Sequence, residues 1–386
     1  MARRALPDRP SFQGFGAMLD VFRVREYFGA LTTARDLARE IREDAAFLGQ
    51  LRRATMKLPI DSPSKPVEKP LWPRRATRLP LARTRLGVVA SGGSGAMASL
   101  IGVVQACQEL GLGPQVMSFA SGAALFGFPM AAGKSPAEVA DFVLSLDPTD
   151  WVDVNWRGLA GILPARGRGF AGVVKGDKLE ATYARFLGDM TLGELAITAY
   201  APVWNIEHNH LEYIGPRTHP RLKVARAIRM SVSLPLFLEP VRWRGGSWCD
   251  GAIVDIFPVH PILDLEPRCE AVLGVNCFYP PEFAGEDAGG WRRRAWSVLD
   301  IGDQVVTAQH IEIARSNVRR LRAEVESVMM IDPVPYELVR RAGLYAQFID
   351  RSGWPDFIRS GHRTALDALK KEFRFARANR TVKRSA

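Results

Sequence analysis

Two segments of this chain place a turn rich in small residues between a strand-like run and a helix-like run. In the first, LGVVA at 86–90 ends in Ser91-Gly92-Gly93-Ser94-Gly95-Ala96 and passes into MASLIGVVQACQELGLG, whose apolar spacing stops at Gly111. In the second, QVMSFAS at 115–121 leads through Ser121-Gly122-Ala123 into the apolar stretch GAALFGFPMAAG. A glycine turn at a helix N-terminus aims free backbone N–H groups at one point, where a developing oxyanion can be held. A serine on a tight strand-to-helix turn projects its hydroxyl above the sheet, provided that its neighbours are small. Acyl transfer needs both parts. On pattern alone, the same turns also suit a phosphate loop or ordinary turn chemistry.

Further along, the order of short motifs resembles the patatin-like phospholipases over roughly residues 86–340. That family pattern is a glycine-rich loop, a helix glycine, a GxSxG elbow, an AAGxSP helix start, an RxSxxxP segment and a DGG or DGA motif. This chain reads SGGSGAM at 91–97, Gly102, FASGA at 119–123, MAAGKSPAE at 130–138, RMSVSLPLFLEP at 229–240 and CDGAIVDIFPV at 249–259. Each motif is short; their common order and spacing carry the resemblance. Ser118, Ala120 and Ser121 compete for the nucleophile position, and ungapped alignment of AAGKSP downstream and GVVQACQELG upstream puts Ser121 there.

The resemblance implies a Ser-Asp dyad without histidine, with Ser121 as nucleophile and Asp250 as its base. It also implies an oxyanion hole drawn from the backbone amides of Gly92, Gly93, Ser94 and Gly95, with Gly122 beside the serine. The implied fold is α/β, a three-layer α/β/α patatin-like arrangement with a mostly parallel central sheet. The implied activity is that of a serine lipid acyl hydrolase, a phospholipase A or lipase-type esterase, needing neither cofactor nor metal.

Five positions depart from the family pattern. Phe119 and Ala123 replace the outer glycines of the elbow, Ser94 replaces the third loop glycine, and Ala96 and Met97 stand where arginine and glycine are usual. Backbone donors survive side-chain changes that keep the turn. A missing arginine removes a charge that would bind phosphate, so neutral esters are expected as substrates at least as readily as phospholipids. A second reading is a degenerate pseudoenzyme that keeps the fold as a lipid- or protein-binding module. Asp255 is a second acid near the DGA motif, and none of the six histidines stands in a hydrolase motif.

The elements that must position these residues alternate strand and helix, which implies helices on both faces of a sheet. Further strands are predicted at LAITAYAPV, HLEYIG, EAVLGVNCF and SVMMIDP, and helices at SPAEVADFVLSL, 296–326 and 363–377. Residues 22–56 have the spacing of an amphipathic helix, and the next two dozen residues carry six prolines and no periodicity. The expected division is therefore a basic helical extension and Pro-rich linker at 1–85, a catalytic domain at 86–340 and a basic helical C-terminal extension at 341–386.

Charge follows that division. Residues 1–85 hold 18 Lys/Arg against 9 Asp/Glu, residues 363–386 hold 8 against 2, and the rest hold 26 against 30. Basic ends around a mildly acidic centre suit an anionic membrane surface; no nucleic-acid motif accompanies them. A dinucleotide fold is set aside because SGGSGA fails the GxGxxG spacing. Residues 111–133 carry no charge, but five glycines and two prolines suit a buried strand and helix rather than a membrane span. Four cysteines without a paired or metal-binding spacing, and an N-terminus without a signal-peptide apolar core, point to the cytoplasm, with peripheral membrane contact. Acyl preference, headgroup and oligomeric state are encoded in none of these motifs.

Overall fold

A computed structural model describes residues 84–155, 171–279, 298–339 and 351–384. The expected N-terminal helix and Pro-rich linker lie outside the described residues. Residues 54–286 and 310–386 form one compact unit, which is the subject below; a second unit comprises residues 1–53 and 287–309.

The strands are β1 (Leu86–Ala90), β2 (Val116–Phe119), β3 (Gly172–Val174), β4 (Thr198–Asn205), β5 (His210–Ile214), β6 (Leu236–Leu238), β7 (Val241–Trp243), β8 (Gly246–Asp250), β9 (Ala271–Val275) and β10 (Ser327–Ile331). Their helices are α1 (Ser99–Glu109), α2 (Ala124–Ala131), α3 (Pro136–Ser145), α4 (Asp177–Leu187), α5 (Val224–Ser231), α6 (Val298–Glu324) and, after a single turn at Tyr336–Val339, α7 (Trp354–Arg384). The main sheet has the order β10-β9-β1-β2-β4-β8-β7, with β5 also paired to β4; β3 and β6 form a small separate sheet. From β10 to β4 every pairing is parallel, while β5, β7 and β8 join antiparallel.

Alternate side chains of these buried strands enter two separate cores, as a strand's period of two requires. Val88, Met117, Phe119, Leu273 and Val275 face the core built with α1, α2, α3, α5 and α7. Val89, Val116 and Val272 face the other, built with Phe257, Ile262 and Ala314, Val318 and Leu321 of α6. Two helical layers therefore enclose the sheet, which is the expected α/β/α arrangement. Helix α3 begins with a capping box, Ser135 accepting from Glu138 N at 3.2 Å and Glu138 accepting from Ser135 N at 2.8 Å.

Helix α7 crosses α1 at a contact that glycine makes possible. A Cβ on Gly102 would lie 1.9 Å from the Ile358 carbonyl oxygen, and one on Gly361 would lie 2.0 Å from the Ser99 oxygen. His362 Nε2 meets Glu109 Oε2 at 3.0 Å in the same buried interface. Ile358, Ala365 and Leu369 belong to the first core, so α7 is packed into that layer. Gly102→Ala is expected to cost about 1–3 kcal/mol by overpacking, read as a lower melting temperature.

Candidate active site

The carboxyl ends of β1 and β2 put the glycine loop and the serine side by side. β1 pairs with β2 as Ala90↔Phe119, and β2 pairs with β4 as Ser118↔Tyr200. Ser121 follows Ser118 by three residues, as Val203 follows Tyr200 on β4, and Val203 is the partner of Asp250 on β8. Sheet register thus brings together two residues that are far apart in sequence.

Ser121 has φ of +50°, the left-handed region that non-glycine residues rarely occupy. Such strain costs about 1–3 kcal/mol and persists where the surroundings over-determine it. Here the surroundings are buried Ala120, Gly122 and Ala123, while Ser121 itself is half-buried. Gly122 is required by close approach, because a Cβ there would lie 2.1 Å from the Gly93 carbonyl oxygen. The glycine loop and the elbow touch through backbone at that point.

Asp250 is fully buried. Its backbone N–H donates to the Ser233 carbonyl at 3.0 Å, and its Oδ1 accepts from Ala252 N at 2.8 Å, capping the turn Gly251–Ile253. Burial pushes its carboxyl up from 3.8 to about 7, and the Ser121 hydroxyl and the Ala252 amide pull it partly back. Oδ2 is buried and has no hydrogen-bond partner among the described residues.

The loop amides divide. Gly92 N donates to the Ile256 carbonyl at 2.8 Å, so this amide anchors the loop and is not a free donor, contrary to its expected place in the oxyanion hole. Gly93, Gly95 and Gly122 have no acceptor for their N–H groups among the described residues. Ser94 receives Met97 N on its carbonyl at 3.0 Å, which closes the turn into the helix. Ser91 Oγ donates to the Gly92 oxygen at 2.8 Å and accepts from Cys277 N at 3.0 Å, tying the loop to the segment after β9. Ala96 and Met97 are fully buried and apolar, so no charge enters the site from the positions where the family pattern has arginine and glycine.

Phe119 is tolerated for a reason that lies eight residues downstream. Its ring is fully buried on β2 and occupies the space left by Gly127 of α2, where a Cβ would lie 2.5 Å from Cε1. Phe128 meets it edge-on at 4.7 Å between centroids. Gly127→Ala is expected to destabilise by about 1–3 kcal/mol, and Phe119→Ala by about 3–5 kcal/mol through the cavity it leaves. Denaturant midpoints of the two single variants and the double variant check this, since the pair must be non-additive.

Behind Asp250 lies a buried arginine. Arg229 bonds Ser233 Oγ, the Lys175 carbonyl and, at 2.6 Å, the Glu239 carbonyl; Ser233 Oγ also donates back to the Arg229 carbonyl at 2.5 Å. The RxSxxxP segment therefore holds the carbonyl that fixes the backbone of Asp250. Asp255, by contrast, accepts from Tyr213 Oη at 2.6 Å and Asn317 Nδ2 at 2.8 Å, so each of its oxygens already has a partner. Nothing in the sequence marks Asn317 or Gly127 as connected to the site.

Among the described residues no histidine bonds Ser121 or Asp250. His219 pairs with Glu212, His260 with Asp264 and His362 with Glu109, while His310 meets the Ile253 carbonyl at 3.3 Å. His208 and His210 are exposed.

Residues 88–263, which run from β1 through the loop after Asp250, match the family model described as patatin-like phospholipase. The chain carries a patatin-like domain. Among individual proteins, YqhO of Bacillus subtilis (strain 168), itself uncharacterized, is 26% identical over 223 residues, 49% of this chain and 70% of that one. Among solved structures, the chain is similar to VipD from Legionella pneumophila, with a TM-score of 0.44, 16% identity and coverage of 75% of this chain and 67% of that chain. It is also similar to human GIVD cytosolic phospholipase A2, with a TM-score of 0.41, 12% identity and coverage of 77% and 60%. Among the described residues of the chain that holds the patatin-like domain, no helix is long and apolar enough to cross a membrane.

Proposed function

We propose that the patatin-like domain is a serine lipid acyl hydrolase in which Ser121 is the nucleophile and Asp250 the base. The observation that carries this reading is the strained Ser121, whose hydroxyl acts on the buried Asp250 carboxyl, a group whose pKa burial raises to about 7. A base poised near the working pH is efficient because enough of it is ionised while its proton affinity stays high.

In the first step the Asp250 carboxylate takes the Ser121 proton as Oγ attacks the ester carbonyl. The oxyanion is held by amides of the Gly93–Gly95 loop and of Gly122. Collapse breaks the ester C–O bond, the Asp250 proton passes to the leaving alcohol, and an acyl-serine remains. Water then attacks the acyl-serine, giving its proton to Asp250, which returns it to Oγ as the carboxylic acid leaves. Apolar Ala96 and Met97 favour neutral or weakly charged acyl esters. The strongly basic residues 1–85 support peripheral contact of a cytoplasmic enzyme with an anionic lipid surface.

The test is hydrolysis of short- and medium-chain p-nitrophenyl esters across pH 5 to 9. On this reading kcat/KM rises with pH through an apparent pKa of about 7 and then levels, because the ionised Asp250 is the active form. A protein that binds lipid vesicles but turns over no ester is instead the binding module of the second reading.

A further inference from the structure

Helix α6 grips the segment that connects the base to the oxyanion loop. Ala314, Val318 and Leu321 line its buried side against Phe257 and Ile262. From that side Asn317 Nδ2 donates to Asp255 Oδ1 and to the Phe257 carbonyl, both at 2.8 Å. Tyr213 Oη on β5 donates to Asp255 Oδ2 at 2.6 Å, and Phe257 N reaches Oδ1 at 3.3 Å. Both oxygens of a carboxylate that is 5% exposed are thereby filled.

Between the two residues so fixed, Asp255 and Phe257, lies Ile256. Its carbonyl is the acceptor for Gly92 N at 2.8 Å, and a Cβ on Gly92 would lie 2.5 Å from its Cδ1. On the other side, Asp255 N donates to the Gly251 carbonyl at 2.9 Å, closing the turn that starts at Asp250. One buried carboxylate therefore sets the distance between the base and the anchor of the oxyanion loop. A buried carboxylate is kept only where its oxygens are bonded, as both oxygens of Asp255 are.

We infer that Asp255, Asn317 and Tyr213 are positioning residues that hold Asp250 and the Gly92 loop in mutual register. The consequence for catalysis rests on the hydrolase reading; the consequence for backbone order does not. The variants are Asn317→Ala and the milder Tyr213→Phe, with Asp255→Ala beside Asp255→Asn. Asparagine keeps an oxygen for Asn317 and offers its amide to the Tyr213 oxygen.

On p-nitrophenyl butyrate, Asn317→Ala is expected to lower kcat by about 10- to 100-fold with little change in KM, the scale of a small misplacement of reacting groups. Asp255→Asn should recover most of the activity lost in Asp255→Ala. In parallel, hydrogen exchange followed by mass spectrometry should show faster exchange in the peptides covering 86–95 and 250–257 of Asn317→Ala and Tyr213→Phe, and unchanged exchange in α1. If wild type turns over no ester but exchange quickens in those two peptides, the positioning stands and the hydrolase reading falls. Unchanged exchange there, or unchanged kcat in an active wild type, overturns the positioning role.

Discussion

Asp250→Asn is expected to abolish ester hydrolysis and to make the folded protein more stable above pH 7. The loss is set by chemistry: an amide cannot take the Ser121 proton, and a positioned general base contributes about 10²–10⁴-fold to the rate. The gain is set by burial. In the folded chain the carboxyl's pKa is raised from 3.8 to about 7, so between those values the folded state holds a proton that the unfolded state has released. Wild-type stability therefore falls as pH rises from about 4 to 7 and stays lowered above 7, whereas asparagine does not titrate. Three units at 1.36 kcal/mol each set a ceiling of about 4 kcal/mol. A new buried N–H without a partner offsets about 1–3 kcal/mol of it. Asparagine keeps the oxygen that caps Ala252, so the turn itself survives. Thermal melts at pH 4, 6 and 8 check this: the variant should melt higher than wild type at pH 8, by less or not at all at pH 6, and lower than wild type at pH 4, where only the cost of the unpartnered N–H remains.

Gly122→Ala is expected to remove activity without touching a reacting side chain. The added methyl would sit 2.1 Å from the Gly93 oxygen, 3.1 Å from its carbonyl carbon and 3.4 Å from the Ser94 oxygen. All three are backbone atoms of the loop proposed to supply the oxyanion donors, so relief of the clash moves those donors off the carbonyl. Loss of one such donor costs about 10²–10³ in kcat. Gly92→Ala is the control, since there the nearest atom, at 2.5 Å, is Cδ1 of Ile256, the end of a flexible side chain. Steady-state kinetics on a soluble ester should give a large kcat loss with KM nearly constant for Gly122→Ala and a smaller loss for Gly92→Ala.

Much of this architecture is legible in the residues. The runs at β1, β2, β9 and β10 are β-branched or apolar and bounded by glycine or polar turns, and α1 and α3 carry their stop and start signals. Strands β3, β6 and β7 are three residues each, too short for a period of two to emerge, and the sequence does not announce them. Helices α4 and α5 are likewise found only in the structure. Helix α7 starts at Trp354, nine residues before the expected 363, because Gly361 is a close contact with α1 rather than a helix break. At the site, Ser121 and Asp250 are named by motif, but what brings them near one another is the order β2-β4-β8 in the sheet. Gly92 reads as a donor and is an anchor, since the acceptor at Ile256 lies far along the chain. The fit of Phe119 depends on a glycine one helix later, a dependence that a motif of five residues cannot carry.

The most direct measurement is covalent capture by an alkyl fluorophosphonate, with the modified peptide located by mass spectrometry at pH 8. The account predicts a single adduct on Ser121, formed slowly or not at all in Asp250→Asn and absent in Ser121→Ala, with folding intact in both. An adduct on another serine, or ester turnover that survives Ser121→Ala, would contradict it.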